Sequence, residues 1–252
     1  MTIGDHIIHL HQVDSTNSYL KENARELEEG VVVWADLQTG GKGRRGRSWF
    51  ATTGSLTFSV LLRPQLTAQD LLLFTLLPAV SVVKVLRASD VNVVLKWPND
   101  LLLNGKKMGG VLVETCHANH GFPDVIVGMG LNLHQRANEF PPDLQQTASS
   151  VLKESGMVLD SHDLFARLLV QMDKDYRQLQ TENDLTVIKR EWLRFCGHLQ
   201  QEVIVRQGER QISGKFVGIS DRGGAQVVTE AGIIEITNVT DFSLRLNHVT
   251  GD

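Results

Sequence analysis

Cysteine is scarce in this sequence, with only Cys116 and Cys196 among 252 residues. They lie far apart without metal-ligand spacing, and they read as buried reduced thiols rather than a disulfide. No apolar run reaches the ~18 residues that span a bilayer, and no signal peptide precedes His6. The expectation is therefore a cytoplasmic protein with no membrane association. Charge of one sign is not in excess either: 25 Lys and Arg stand against 29 Asp and Glu, for a net charge of −4. No global field draws such a chain to nucleic acid. Aromatics make up 6% of the residues, and after Gly197 only Phe216 and Phe242 remain, which leaves little capacity to stack single-stranded bases. Internal repeats and low-complexity tracts are absent.

What is present is an ordinary globular composition, 42% hydrophobic and 21% charged, in a chain long enough for one full core and a small appended domain. The pattern is α+β. A short strand at 6–11 runs into Asp14-Ser15-Thr16-Asn17, a cluster of helix N-cap residues, after which Tyr19, Leu20, Ala24 and Leu27 recur at helical spacing. A strand at 31–35 leads into a glycine-rich stretch. Another at 56–63 precedes a helix from residue 68 or 69 to about 88. Strands follow at 91–95, 101–103 and 111–113, with Asn104-Gly105 between the last two as a hairpin signal. A strand at 124–133, a loop at 137–150 carrying Pro141-Pro142, and helices at 161–181 and 184–196 complete a larger domain of 1–198. Short β runs at 203–205, 212–219, 225–229, 233–236 and 242–246 predict a small antiparallel barrel over 199–252, too small to stand confidently alone.

Residues 40–47 read Gly-Gly-Lys-Gly-Arg-Arg-Gly-Arg, four cations threaded between four glycines. Glycine lets the backbone approach a ligand and aim its N–H groups inward, while Lys and Arg supply charge and forked donors for phosphate or carboxylate. The stretch is suited to hold an anion. It satisfies the dinucleotide fingerprint G-x-G-x-x-G and approximates a P-loop, but both need a helix N-terminus after the loop. The alternation of Leu56, Phe58, Val60 and Leu62 predicts a strand there instead. Taken alone, the loop reads equally as a solvated basic turn or a local nucleic-acid patch.

A second polar group stands at Lys96-Trp97-Pro98-Asn99-Asp100 and across the hairpin at Lys106-Lys107-Met108-Gly109-Gly110. By itself it is a tight turn with Asn and Asp making local hydrogen bonds, although Lys107 before a double glycine puts a mobile cation where backbone can approach a ligand.

Together, Asp14 to Asn17, Gln38 with Gly40 to Trp49, Lys96 to Asp100, Lys107 to Glu114 and Gly128 to Asn132 closely resemble biotin protein ligases, in the expected order and over essentially the whole chain. The resemblance implies a mixed-sheet catalytic domain of the biotin/lipoate ligase type, with an SH3-like domain at the C-terminus. It implies a two-step reaction. The carboxylate of biotin attacks the α-phosphate of MgATP, giving biotinyl-5′-AMP and pyrophosphate. The amine of one lysine on the biotin carboxyl carrier protein of acetyl-CoA carboxylase, or of a related carboxylase, then attacks the mixed anhydride and releases AMP.

By family position, Ser15, Thr16, Asn17 and Gln38 line the biotin site, and Lys42, Gly43 and Arg44 close over biotin and its carboxylate. Lys107 bridges that carboxylate and the α-phosphate, Gly110 offers a backbone N–H, and Lys107 and Arg44 are the catalytic residues. Arg44 also retains the adenylate. Arg47 and Trp49 meet the phosphate and adenine regions, and Asn132, Lys96, Asn99 and Asp100 fall on the ATP side. Lys96 and Asn99 have a second reading as braces of the turn, and Asp100 organises either Mg-bound phosphates or the acceptor lysine. Mg2+ is expected mainly on the ATP phosphates.

Lys42 departs from the family, which has arginine there. The chain also begins a few residues before its first strand, without room for the DNA-binding domain of some relatives, so no repressor activity and no nucleic-acid partner are expected. Family members are often homodimers. The related octanoyltransferases need a nucleophilic Cys with a Lys partner, which Cys116 lacks, and the Arg-Arg-x-x-Gly-Gly-Gly motif of lipoate ligases is not found.

Overall fold

The computed structural model describes residues 2–67, 70–119, 122–182, 184–207, 210–237 and 242–246. Its main sheet has seven strands in the order β1-β2-β3-β7-β6-β5-β4, spanning Ile7–Val13 (β1), Val32–Gln38 (β2), Ser55–Leu62 (β3), Val94–Lys96 (β4), Asp100–Leu103 (β5), Lys106–Asn119 (β6) and Phe122–Asn132 (β7). β1 and β2 run parallel, as they must when a helix crosses between them. The other pairings are antiparallel.

That crossover helix, α1 (Thr16–Asn23), starts where the sequence supplies a cap: Ser15 is extended and its side chain accepts from the Ser18 N–H, a bond of ~1 kcal/mol. Leu20 and Ala24 bury against Val31, Val33, Leu61 and Ile126 on one face of the sheet. The helix stops at Asn23 rather than continuing to Leu27, because Arg63 at the end of β3 captures the carbonyls of Ala24 and Leu27 at 2.8 and 2.9 Å. The opposite face carries the main core, to which Phe58 and Val60 belong with residues of the later helices. β3 is thus buried along all eight residues.

The helix expected from 68 or 69 to 88 is two helices, α2 (Leu71–Phe74) and α3 (Leu77–Arg87); residues 68 and 69 lie outside the described residues. Pro78 sits in the first turn of α3. There its missing N–H costs nothing, whereas in a continuous helix its ring would strike the carbonyl of Phe74. A helix absent from the sequence reading, α4 (Val151–Ser155), is capped by Ser150 and ended by Gly156 at φ 72°. Helices α5 (Ser161–Glu182) and α6 (Thr186–Phe195) lie within a residue or two of expectation. Asn104 and Gly105 both take left-handed backbone, φ 50° and 78°, as a two-residue hairpin requires.

The second sheet holds β8 (Glu202–Gln207), β9 (Arg210–Ile219), β10 (Ala225–Thr229), β11 (Gly232–Ile236) and β12 (Phe242–Leu246), antiparallel in the order β11-β10-β9-β8-β12. Among the described residues β11 and β12 do not pair with each other, and the five strands form the small antiparallel C-terminal β domain that was expected. Val203, Val205, Phe216, Ala225 and Val227 are continuous with the main core. The joint runs through the linker: Leu95 bridges Cys196, and the Gly197 N–H donates to the Leu95 carbonyl at 2.9 Å. Both cysteines are free.

His198 is wholly buried, with its ring 4.4 Å from Phe216 and 6.0 Å from Trp192. Burial, with Lys96 nearby, pulls its pKa down from 6.5 to about 3. Below pH 6.5 the unfolded chain binds a proton that the native state refuses, so stability falls as pH drops from 6.5 toward 3. Denaturant unfolding at pH 7 and pH 5 checks this: the loss between the two should be smaller in His198→Phe than in the unsubstituted chain, by about 2 kcal/mol.

Candidate functional site

One cavity of about 710 Å³ opens over the main sheet, and every residue named from the sequence for the two subsites lines it. At one end stands the first turn of α1. The Thr16 N–H donates to Gln38 Oε1 at 2.7 Å and its hydroxyl donates to the same oxygen at 2.9 Å. The Thr16 and Ser59 hydroxyls lie 2.6 Å apart, and Ser59 donates to Asn17 Oδ1 at 2.6 Å. Asn17 Nδ2 donates to Glu114 Oε2 at 2.9 Å. This network of hydroxyls and amides, anchored on the Glu114 carboxylate, holds each side chain in one rotamer before any ligand arrives.

The glycine loop is a narrow hairpin with a three-residue 3-10 turn, Arg44–Gly46, at its tip. Lys42 bridges Ser48, Gly43 N–H donates to the Arg47 carbonyl at 2.7 Å, and Trp49 N–H donates to the Gly41 carbonyl at 2.8 Å. A β-carbon on Gly41 would come 2.6 Å from the Trp49 carbonyl, so this residue must be glycine. The strand β3 follows, not a helix. Lys42 turns toward α1, its Nζ 2.7 Å from Ser18 Oγ.

Arg44 reaches the other end, where its guanidinium donates to Asn99 Oδ1 at 3.0 Å. Asn99 is itself tied to β6, accepting from Val111 N–H at 3.0 Å and donating to the Val111 carbonyl. Asp100 pairs with Lys107 at 2.5 Å. Lys107 Nζ also stands 5.8 Å from the centre of the Trp49 ring, a cation–π distance. Asn132 Nδ2 holds the Ser149 carbonyl at 3.0 Å.

The lining carries six cations, Lys42, Arg44, Arg45, Arg47, Lys96 and Lys107, against one carboxylate, Asp100. Burial pulls the Arg44 pKa down to about 10; Asp100 opposes the shift, while Arg45 and Arg47 add to it. Among the described residues no three His, Cys, Asp or Glu side chains converge on a metal position.

Sequence reasoning did not assign Ser59, Glu114, Gly128 or Gly130 to the site, nor the segment 144–148. Ser59 and Glu114 carry a signal, polar residues within apolar strands. The segment carries none: it reaches the site because Lys107 N–H donates to the Thr147 carbonyl at 2.9 Å and Ser149 N–H to the Lys107 carbonyl at 2.8 Å. A methyl on Gly128 would overlap the Asn17 carboxamide, and one on Gly130 the Trp49 indole. Gly128→Ala should therefore destabilise by about 1–3 kcal/mol through overpacking. Asn17→Ala in the same chain should recover most of that loss, as read by thermal unfolding.

Residues 10–132 match the biotin/lipoate A/B protein ligase family, and residues 198–245 match the biotin protein ligase C terminal domain. The bifunctional ligase/repressor BirA of Bacillus subtilis is 34% identical over 237 residues, covering 93% of this chain and 73% of that protein. The biotin--[acetyl-CoA-carboxylase] ligase of Paracoccus denitrificans is 31% identical over 227 residues, 88% of this chain and 94% of that one. The biotin protein ligase of Aquifex aeolicus, solved in complex with biotin and ATP, superposes with a TM-score of 0.84 at 34% identity, covering 96% of this chain and 99% of that one. With the site's geometry and both matched regions in agreement, the chain belongs to the biotin protein ligases of the biotin/lipoate A/B protein ligase family.

Proposed function

We propose that the two ends of the cavity divide the ligase reaction between them. The reading rests on one observation: Lys107 on strand β6 and Arg44 on the glycine loop are held by adjacent residues, Asp100 and Asn99. Two cations held on neighbouring residues of one turn suit a step in which one anion attacks another. The neutral network of Ser15, Thr16, Asn17 and Gln38 takes the ureido ring of biotin, and Gly43 and Gly110 contribute backbone. The biotin carboxylate then lies between Lys107 and Arg44. As its oxygen bonds to the α-phosphorus and pyrophosphate leaves, those cations and Arg47 offset the charge gathered in the transition state. Trp49, Asn132, Lys96 and Asn99 serve the nucleotide.

The single carboxylate of the lining is already paired, so the protein offers no cage for Mg2+; the ion arrives on the ATP phosphates, and no residue is assigned to it. The acceptor is a lysine of a biotin carboxyl carrier domain, whose amine takes the acyl group and releases AMP. Residues 1–198 form the catalytic unit and 199–252 the appended one. Two free thiols suit action in the cytoplasm.

Biotin-dependent exchange of pyrophosphate into ATP tests the reading, with lipoate and octanoate run in parallel. Exchange with lipoate but none with biotin refutes it. Lys107→Ala should lower exchange by about 10²-fold or more. Arg44→Gly should release biotinyl-AMP, read as labelling of bystander proteins; full retention of the adenylate refutes that role.

Lys42, bonded to Ser18, is placed on the biotin side. Ser18→Ala and Lys42→Met should each weaken biotin binding several-fold in calorimetric titration, and the double variant should be no weaker than the poorer single one. An effect of Lys42→Met on ATP alone would move the residue to the phosphate side.

A further inference from the structure

Trp97 sits in the turn that carries Asn99 and Asp100, and no role in the chemistry falls to it. Its side chain is 1% exposed. Its indole N–H donates to the carbonyl of Gly223 at 3.1 Å, in the connection between β9 and β10, so the bond joins the turn to the second sheet.

The acceptor is rigidly presented. Ser220 N–H donates to the Gly224 carbonyl at 2.8 Å and Gly223 N–H to the Ser220 carbonyl at 3.0 Å, while the Ser220 hydroxyl accepts from the Arg222 and Gly224 N–H groups at 3.2 and 3.1 Å. Gly223 has φ +82°, and a β-carbon there would stand 2.7 Å from the Leu73 nitrogen. The connection is therefore wedged against the backbone of α2, and its carbonyl has one place to point.

The donor side is equally constrained. Just upstream, the linker bonds to the Leu95 carbonyl through Gly197. Just downstream, Asn99 is fixed to Val111 and receives Arg44, and Asp100 receives Lys107. From Leu95 to Asp100 the chain is pinned by the C-terminal unit on one side and presents its site residues on the other.

We infer that Trp97 is a positioning residue for adenylation, through which the Gly223 connection of the second sheet sets the turn that aims Asn99 at Arg44 and Asp100 at Lys107. The inference rests on the reading that Asn99 and its turn serve the nucleotide side of the cavity. It gives the second sheet a part in the first chemical step.

The test uses the full chain and steady-state pyrophosphate exchange, with KM measured separately for ATP and biotin and with Tm for each variant. Trp97→Phe keeps an aromatic ring, removes the donor and leaves a smaller side chain, the packing cost of which Tm reads. Gly223→Ala displaces the acceptor from the far side of the joint without touching the cavity. Val227→Ala, in the buried core of the second sheet, is the control for simple loss of stability. Trp97→Phe and Gly223→Ala should each raise KM for ATP at least fivefold and leave KM for biotin within twofold, and the double variant should be no worse than the poorer single one. Val227→Ala, at a similar loss of Tm, should leave both constants unchanged.

An unchanged KM for ATP in Trp97→Phe, or an equal rise in Val227→Ala, overturns the inference. Asn99→Ala separates the two readings. If it raises KM for ATP while Trp97→Phe does not, the inference falls and the site assignment stands. If neither moves KM for ATP, the site assignment falls and the inference with it.

Discussion

Positive charge gathered along one cavity is the constraint the rest of this structure sustains. Six cations and one carboxylate line the cavity, and Arg44 is desolvated far enough to lower its pKa to about 10 even with Asp100 beside it. Arg45 and Arg47 add to the lowering of the Arg44 pKa, so like charges act on one another across the cavity and an entering anion relieves them. A carboxylate and a phosphate relieve them together. They repel each other in solution, and each is attracted to the same fixed charges, so the repulsion the reaction must overcome is offset by repulsion already present in the protein.

Holding cations in such a place requires backbone that cannot yield. β3 is buried on both faces and lies between β2 and β7. Glycines at 128 and 130 leave room for the Asn17 carboxamide and the Trp49 indole directly above β7. Asn99 makes three bonds, two to Val111 and one to Arg44, and so transmits the rigidity of β6 to the tip of a glycine loop. At the other end of the cavity the hydroxyls and amides of Thr16, Asn17, Gln38 and Ser59 bond one another and Glu114 takes the Asn17 amide.

The features legible in the sequence were those set by local chemistry. Ser15 caps α1 because a short side-chain oxygen stands before a helical run. Asn104-Gly105 turns because both residues accept left-handed backbone. The glycine loop had to precede a strand because Leu56 to Leu62 alternate. What stayed hidden depended on distant partners. Nothing near Leu27 foretells that Arg63 will take the carbonyls ending α1, and nothing in residues 144–148 foretells that they run beside Lys107. The sequence of α2 and α3 reads as one apolar helix, and only Pro78, a local signal that went unused, marks the break. The second sheet was legible because its strands are short and regularly spaced, but which strands become its edges depends on long-range pairing that is not written in any one strand.

Lys42 shows how a single exchange can redistribute the roles within such a site. Arginine at that position would bring a planar fork, and forked donors favour an oxyanion with two oxygens to offer. Lysine brings a compact charge on a flexible stem, and here the stem carries it to Ser18 Oγ, in the first turn of α1. That places it at the positive end of a helix dipole, a position unfavourable for a cation unless an anion is close by. The loop is thereby tied to α1 through its third residue and to the turn at Asn99 through Arg44. On the proposed division of the cavity, phosphate recognition then falls to Arg44, Arg47 and Lys107, and the loop bonds one wall through Lys42 and the other through Arg44.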